Sequence, residues 1–192
     1  MSDSNQGSSE EEREEEGGLW WWLKPVIIAV VFTVLVRIFV AELFTVPTGS
    51  MEQTIMPGNM VLTEKVTPRF TDPVPGEVVV FNNPQNDGTV LVKRVIAVAG
   101  QTVELRDGDV YVDGVMLDEP YTLGKPSEPL ASQMPGLPEL TYPLTVPEGC
   151  IWVMGDNRTN SRDSRYFGFV QTSEVFGHGI CVVWPPANWR GL

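Results

Sequence analysis

The longest apolar run of the chain lies near its N-terminal end. Residues 19–40 read LWWWLKPVIIAVVFTVLVRIFV, and only Lys24 and Arg37 interrupt the apolar side chains. A helix needs about 20 such residues to cross the hydrocarbon core of a bilayer. The three tryptophans beside Lys24 suit the membrane interface, where aromatic rings and snorkelling ammonium groups anchor a span. The pattern predicts one transmembrane helix over residues 19–41.

Two other interpretations of this run fit it less well. A core helix of a soluble protein is seldom apolar on every face over such a length. A cleaved secretory signal has a basic flank and a shorter apolar stretch, of about 7–15 residues, whereas the residues before this run are acidic.

After residue 41 the pattern changes to short β-rich runs separated by turn signals. Asp107-Gly108 and Asp113-Gly114 favour tight turns, which predicts a hairpin or meander over residues 103–117. The predicted strands are Met60–Glu64, Glu77–Phe81, Thr89–Ala99, Gln101–Arg106, Asp109–Val112, Val115–Leu117, Ile151–Met154 and Gly179–Trp184. The predicted fold class is therefore mainly β: an antiparallel β-sheet domain over residues 42–192, preceded by one N-terminal transmembrane helix.

Proline interrupts this pattern between residues 119 and 147. Seven prolines fall in that stretch. Because proline lacks a backbone donor and fixes its own φ, regular structure is disfavoured there. We expect an insertion that runs over the surface at about residues 119–147.

Charge is unevenly distributed along the chain. The net charge is −12, with 13 basic against 25 acidic residues, which argues against a nucleic-acid surface. Residues 1–17 carry seven acids and one arginine. A segment this polar cannot bury enough apolar surface to offset the entropy of ordering. Residues 1–18 are predicted to be a disordered acidic tail, with no function assigned to it.

Cysteine usage bears on metals and disulfides. Cys150 and Cys181 are the only cysteines, and they form no CxxC motif or Cys/His cluster. No metal site and no cofactor is predicted. Both cysteines lie in apolar, strand-like runs, so a disulfide and two buried free thiols are equally consistent with the sequence.

Two segments carry candidate catalytic groups. Ser50 lies in the turn sequence PTGSM, where glycine lets backbone amides approach an oxyanion, although most such serines only form turns. A serine nucleophile needs a base. His178 is the only histidine, and Lys93 is the alternative, because it lies with Arg94 in an otherwise apolar strand. A desolvated lysine can lose its proton, whereas arginine cannot. On this pattern alone, an edge strand with both head groups in solvent is the simpler interpretation.

A third segment is polar throughout. Residues 155–165 read GDNRTNSRDSR and follow an apolar strand directly. An exposed loop of turn residues would explain them. A rigid loop beside a site, with its shape fixed by aspartate and arginine pairs, would explain them as well.

Taken in order, the span, PTGSM, LVKRVIAVAG and GDNRTNSRDSRYFG resemble a bacterial type I signal peptidase of the single-span kind. The resemblance covers most of residues 34–184 and fails in the acidic tail and the proline-rich insertion. It implies a Ser/Lys peptidase in which Ser50 is the nucleophile and Lys93 the general base. It further implies that Ser161 orients the lysine amine.

The resemblance also implies roles for residues around Ser50 and Lys93. The hydroxyl of Thr48, where many members have serine, would assist the Ser50 amide in the oxyanion site. Gln53 stands where the family often has proline, which is expected to alter a turn and not the chemistry. Asp163 and Arg165 match a structural ion pair near the site, and Asp156 and Arg158 are further structural residues expected there.

The resemblance also implies partners and a location. The expected substrates are preprotein signal peptides with small residues before the cleavage site, and the expected location is the plasma membrane. The N-terminus would be cytoplasmic and the catalytic domain on the outer face, a topology that charge alone leaves open. Ser50 follows Val40 by only ten residues, so at about 3.6 Å per residue it stays near membrane lipid.

Two competing functions predict other chemistry. A sortase-like cysteine transpeptidase would use Cys150, His178 and Arg190, but its histidine should precede the cysteine. A membrane-anchored β-rich binding or assembly module would leave Ser50, Lys93 and Ser161 without a purpose.

Overall fold

A computed structural model of the chain describes residues 8–85, 88–130 and 140–192, with the side chains of the first helix described from Trp20 onward. The chain forms two compact units, Met1–Val40 and Ala41–Leu192.

The first unit is a single helix, α1, which runs over Ser8–Phe39. Its segment Trp20–Phe39 has a mean hydropathy of 2.1 and is long and apolar enough to cross a membrane. The described side chains of this segment are almost all exposed, as expected for a helix whose apolar surface meets lipid.

The start of α1 differs from the sequence prediction. The helix begins at Ser8, so residues 8–18, which were expected to be disordered, have helical backbone. Glutamate is a good helix former, and acidic residues near a helix N-terminus interact favourably with the helix dipole. An already formed apolar helix can therefore extend into this segment. Residues 1–7 of the predicted tail lie outside the described residues.

The second unit is β-rich. Its strands are β1 (Ala41–Thr45), β2 (Met60–Glu64), β3 (Val78–Asn82), β4 (Val90–Val98), β5 (Thr102–Arg106), β6 (Asp109–Val112), β7 (Val115–Met116), β8 (Leu144–Thr145), β9 (Cys150–Met154), β10 (Val170–Gln171), β11 (Val175–Trp184) and β12 (Arg190–Gly191). A short helix, α2 (Ser164–Phe167), follows β9.

The strands form two antiparallel sheets. The larger has the order β1-β2-β11-β3-β4-β9-β10, with β12 paired to β11, and the smaller has the order β7-β6-β5-β8. β4 lies inside the larger sheet, between β3 and β9. Within β4, residues 93–97 are buried, whereas Val90 at its start is exposed.

Three apolar clusters hold this unit together. One joins β3, β4 and β9 to Phe167 of α2, and a second packs β4 and β9 against the smaller sheet around Trp152. The third contains Met51 and Ile55 together with Val61 of β2 and Val182 of β11. Burying one such side chain contributes about 1.5–3 kcal/mol, so this cluster fixes the segment that follows Ser50.

Eight of these strands overlap the predicted ones, and the predicted antiparallel, mainly β fold class is confirmed. Four short strands were missed: β1, β8, β10 and β12. β8 lies inside the predicted insertion, whose described part also contains a 3-10 turn over Pro120–Thr122. The expectation of no regular structure there was wrong in these two places. β8 has only two residues and forms by pairing with β5, a contact that local patterning does not reveal.

Candidate active site

Ser50 lies in a single 3-10 turn over Gly49–Met51. Met51 is fully buried, and Ser50 itself is only 9% exposed. The Glu52 N–H donates to Gly49 O at 3.1 Å, which closes the turn. The first N–H groups of a helical turn have no partner within it, so this geometry leaves backbone donors near the Ser50 hydroxyl.

Lys93 reaches this turn from the middle of the larger sheet. It lies on β4 opposite Val79 of β3 and is 3% exposed. Its Nζ atom is 2.8 Å from Ser50 Oγ and 2.9 Å from the carbonyl oxygen of Val92. A neutral amine has two N–H donors and one lone pair. It can therefore donate to Val92 O while its lone pair accepts the Ser50 hydroxyl proton.

The surroundings of Lys93 favour the neutral amine. Burial lowers the pKa of Lys93 to about 8, although the carboxylates of Asp163 and Asp156 oppose the shift. Removing an ammonium from water disfavours the charged form, and here that effect exceeds the attraction of the two acids. A substantial fraction of Lys93 is therefore unprotonated slightly above neutral pH, as a general base requires.

The loop after β9 holds the Ser50 turn by its backbone. The Asn157 N–H donates to Ser50 O at 3.0 Å, and Asn157 Nδ2 donates to Gly49 O at 2.8 Å. Gly155 lies against the same turn. A Cβ atom at Gly155 would come within 2.4 Å of Ser50 O and 2.3 Å of Ser161 Oγ, so a residue without a side chain is needed there.

Buried ion pairs fix this loop. Asp163 accepts from Arg165 through Nε and Nη2, both at 2.9 Å, and also accepts the Gly155 N–H at 3.0 Å. Asp156 pairs with Arg94 of β4, with contacts of 2.9 and 2.7 Å, and also accepts the Thr54 hydroxyl. Bidentate contacts of this kind restrict geometry strongly, so the loop is tied to the strand that carries Lys93.

Arg158 has a partner that the sequence did not reveal. Its guanidinium forms a bidentate pair with Glu119, at 2.8 and 2.6 Å, and donates to Gly155 O at 3.0 Å. Glu119 belongs to the predicted insertion. The insertion is thus not only a surface excursion, because part of it packs on the loop beside Ser50.

Two cavities adjoin the Ser50 and Lys93 side chains. One, of about 290 Å³, is lined by Ser50 and Lys93 together with residues 44–48 and 89–92. The other, of about 770 Å³, is lined by Lys93, Thr48 and Ser161 among others. The buried Ser161 Oγ has no hydrogen-bond partner within the part of the chain that the structure describes. Thr48 borders both cavities.

The residues of the sortase-like alternative do not converge. Cys150 is on β9, three strands from His178 on β11, which corresponds to about 14 Å at the usual strand spacing. His178 is buried between Glu64 and Glu77, with nitrogen–oxygen distances of 3.5 and 3.6 Å. Burial raises the pKa of the Cys150 thiol, which opposes thiolate formation. Both cysteines are free thiols.

Two residues of the site were not identified from the sequence as functional. Arg94 was noted only as the neighbour of Lys93, and Asn157 only as one member of the polar stretch. The signal that could have drawn attention to Arg94 is an arginine in a buried strand, which requires an acidic partner. Asn157 acts through its backbone and its amide, and the sequence alone does not distinguish this from an ordinary turn residue.

A buried serine and lysine within hydrogen-bond distance, on a β-sheet scaffold, define a serine hydrolase of the kind that uses a lysine base. A family model described as signal peptidase, peptidase S26, matches residues 19–184. The chain belongs to this family.

Two relatives, one from Synechocystis and one from Mycobacterium tuberculosis, agree with this assignment. A probable signal peptidase I-1 from Synechocystis sp. is 38% identical over 172 residues, which cover 86% of this chain and 82% of that protein. A signal peptidase I from Mycobacterium tuberculosis is 36% identical over a gapped alignment of 212 positions, which covers 85% of this chain and 71% of that protein. The solved structure of a signal peptidase I from Enterococcus faecalis V583 is 39% identical, covers 56% of this chain and 97% of that chain, and has a TM-score of 0.46.

Proposed function

We propose that this chain is a membrane-anchored endopeptidase that removes signal peptides from preproteins, with Ser50 as the nucleophile and Lys93 as the general base. The 2.8 Å contact between Lys93 Nζ and Ser50 Oγ, inside a buried site, is the observation that carries the proposal. Family membership supports the reaction, and the contact supports the assignment of the two residues.

The reaction proceeds in two stages. Ser50 Oγ attacks the scissile carbonyl carbon while its proton passes to Lys93 Nζ. The ammonium then gives this proton to the leaving amine nitrogen, the peptide bond breaks, and an ester with Ser50 remains. Lys93 next takes a proton from water, whose oxygen attacks the ester carbon. The ester bond breaks, and the proton returns to Ser50 Oγ.

The negative charge that develops on the carbonyl oxygen during the attack needs hydrogen-bond donors to stabilise it. The Ser50 N–H is at the start of the 3-10 turn, and the Thr48 hydroxyl is at the wall shared by the two cavities. These two groups form the proposed oxyanion site. Replacement of serine by threonine at position 48 keeps the hydroxyl that this role requires.

The remaining site residues position the Lys93 amine and the loop of residues 155–165. Ser161 lines the cavity that contains Lys93, and its buried hydroxyl is available to accept an N–H of the amine and so orient its lone pair. The Asp163–Arg165 pair and the salt bridges of Asp156 and Arg158 act as structural supports.

The preference for small side chains before the scissile bond is proposed from the family resemblance. The smaller cavity lies directly at Ser50 and is bounded mainly by aliphatic and threonine residues. Residues 90–93 of β4 pair with β3 on one side only, because β9 pairs with the part of β4 from Arg94 onward. An extended peptide can add to the open side as a strand and place alternate side chains in the cavities.

For the membrane topology, we propose a single-pass protein of the plasma membrane with the N-terminus in the cytoplasm. Residues 1–18 would form the cytoplasmic segment, residues 19–41 the span, and residues 42–192 a catalytic domain that faces outward and contacts lipid. This topology follows from the delivery of secreted preproteins to the outer face. Protease added to sealed, right-side-out vesicles should then digest the catalytic domain and leave the N-terminal segment intact.

The substrate proposal is tested by cleavage of a preprotein with the full chain in detergent, with the new N-terminus identified by mass spectrometry. A preprotein with alanine immediately before the junction should be cut there, and the same preprotein with phenylalanine or tryptophan at that position should resist. A matched substitution six or more residues away serves as the control. Equal cleavage with the large side chain before the junction would contradict the proposal.

A further inference from the structure

The segment of residues 119–127, here called the brace, makes close polar contacts with the loop that holds Ser50. Glu119 pairs with Arg158, as described above, and Ser127 Oγ accepts from Arg158 Nη1 at 2.6 Å. The brace lies at the start of the proline-rich region and within the residues 19–184 that the family model matches.

One contact of the brace reaches the Ser50 turn through a single residue. Lys125 Nζ donates to Asn157 Oδ1 at 2.7 Å. On its other side, the Asn157 amide donates through Nδ2 to Gly49 O at 2.8 Å and to Glu52 Oε2 at 3.1 Å. The Asn157 backbone N–H holds Ser50 O. Asn157 thus lies between a cation of the brace and the backbone of the nucleophile.

These partners select one orientation of the Asn157 amide. In the opposite orientation, Nδ2 would face the Lys125 ammonium, which has only donors, and Oδ1 would face Gly49 O and the Glu52 carboxylate. Both changes are unfavourable. Without Lys125, the Asn157 Oδ1 atom keeps only a long contact of 3.5 Å from Thr159 Oγ1. Lys125 is therefore the strongest donor that fixes this amide among the described residues.

We propose that Lys125 is a positioning residue for hydrolysis, which acts through Asn157 to hold Ser50 at its distance from Lys93. The inference rests on the proposed function for its kinetic consequence, but the contact itself can be tested without a substrate. Lys125 is half-buried at the surface, so its substitution leaves the apolar core intact.

The first test compares Lys125→Met, which keeps most of the aliphatic stem, with Lys125→Arg, which keeps a cationic donor. For preprotein cleavage at a pH where Lys93 is neutral, Lys125→Met should lower kcat about tenfold with KM nearly unchanged, as for loss of a charged hydrogen bond. Lys125→Arg should stay within about threefold of wild type. Leu123→Ala is the control, because Leu123 is an exposed side chain of the same segment.

A double-mutant cycle separates positioning from a general structural role. If Lys125 acts through Asn157, then Lys125→Met should change kcat by less than about twofold in an Asn157→Ala background. A full tenfold loss in that background would show that Lys125 acts elsewhere and would overturn the proposal. Equal losses of kcat in Lys125→Met and Leu123→Ala would also overturn the proposal.

Hydrogen exchange provides the substrate-free test. The Asn157 N–H, which donates to Ser50 O, should exchange several-fold faster in Lys125→Met than in wild type or Leu123→Ala. Unchanged exchange in Lys125→Met would overturn the proposal whatever the kinetics. If wild type cleaved no preprotein, the proposed function would fail, and the exchange comparison would still decide whether Lys125 holds the Ser50 turn.

Discussion

At the scale of single residues, the reactivity of the site depends on where the Lys93 amine is placed. Although residues 90–93 of β4 pair with β3 on one side only, Lys93 is buried. Its amine contacts the Ser50 hydroxyl and the Val92 carbonyl oxygen. The same burial that makes the amine a usable base makes its ammonium form a burden on stability.

The pH dependence of cleavage should report this amine. With the pKa of Lys93 lowered to about 8, the unprotonated fraction grows roughly tenfold for each pH unit below that value and levels off above it. We expect kcat/KM for a fixed preprotein to rise from pH 6 and bend near pH 8. A rate that is unchanged from pH 6 to 9 would contradict Lys93 as the base.

The free energy of unfolding should also depend on pH through the Lys93 amine, in a direction set by the difference between its folded and unfolded pKa values. The folded-state pKa is about 8, against an ordinary value of 10.5, so the folded protein binds this proton less well than the unfolded chain. The resulting destabilisation is complete below pH 8 and disappears as the pH rises towards 10.5. Lys93→Met should therefore raise the free energy of unfolding by up to about 3 kcal/mol at pH 6–7.

Denaturant unfolding of Lys93→Met and wild type at pH 6.5 and pH 10 measures this difference. The gain in the free energy of unfolding from Lys93→Met should be smaller at pH 10 than at pH 6.5. Lys65→Met is the control, because Lys65 forms a partly exposed ion pair with Glu42 and should show no such pH-dependent gain. A Lys93→Met protein less stable than wild type at pH 6.5 would mean that the lost contacts outweigh the relief of desolvation.

Single residues also show the limit of sequence reasoning. Ser50 and Lys93 could be proposed because their local sequences are characteristic. Lys125 could not, since its role depends on a contact with Asn157 across 32 positions of the chain. Arg158 was expected near the site, but its partner Glu119 comes from a segment whose folding is not governed by local periodicity.

At the scale of elements, the loop of residues 155–165 is the structural support of the Ser50 turn. The sequence left two interpretations open, an exposed loop of turn residues and a rigid loop held by aspartate and arginine pairs, and the structure contains such pairs. The partner of Asp156 is Arg94 of β4, which lies outside the loop. A local reading of alternating charges cannot identify a partner on another strand.

Gly155 gives a test of this support. Because a Cβ atom there would lie 2.4 Å from Ser50 O and 2.3 Å from Ser161 Oγ, Gly155→Ala must displace the turn or the loop. We expect a loss of about 1–3 kcal/mol in stability. A displacement of about 1 Å at the nucleophile should lower kcat roughly 100-fold.

Gly191→Ala is the matched control for this substitution. Gly191 lies in β12 with nothing within 4 Å of its added Cβ position, so activity and stability should stay near wild type. The measurements are thermal unfolding and preprotein cleavage. Full activity in Gly155→Ala would show that the close approach of Gly155 to Ser50 is not needed for the reaction.

The strands show which elements a sequence can predict. β4, which is a long apolar run, was predicted within one residue of both observed ends, whereas β11 begins at Val175, four residues before its predicted start. The four strands that were missed are short, or depend on a partner distant in sequence, as β1 does on β2. Register and strand order lay beyond the pattern, yet they place Lys93 where the pairing of β4 with β9 begins.

At the scale of the whole molecule, the chain combines a helix long and apolar enough to cross a membrane with a compact β unit. The apolar segment Trp20–Phe39 and family membership together fit a membrane-anchored enzyme. The net charge of −12 argues against a nucleic-acid surface, but composition alone says nothing of the reaction. The function could be proposed from the sequence because the motifs of the catalytic unit are specific. The mainly β fold class alone is not specific enough to indicate a function.

The central claim is that Ser50 and Lys93 together cleave preproteins, and one assay tests it most directly. The detergent-solubilised full chain is compared with Ser50→Ala and Lys93→Met on one secretory preprotein, with Ser173→Ala and Lys65→Met as controls at surface positions. Wild type and both controls should cut at the signal-peptide junction, and the two site variants should lose at least about 1000-fold in rate. Cleavage at an undiminished rate by either site variant would contradict the account.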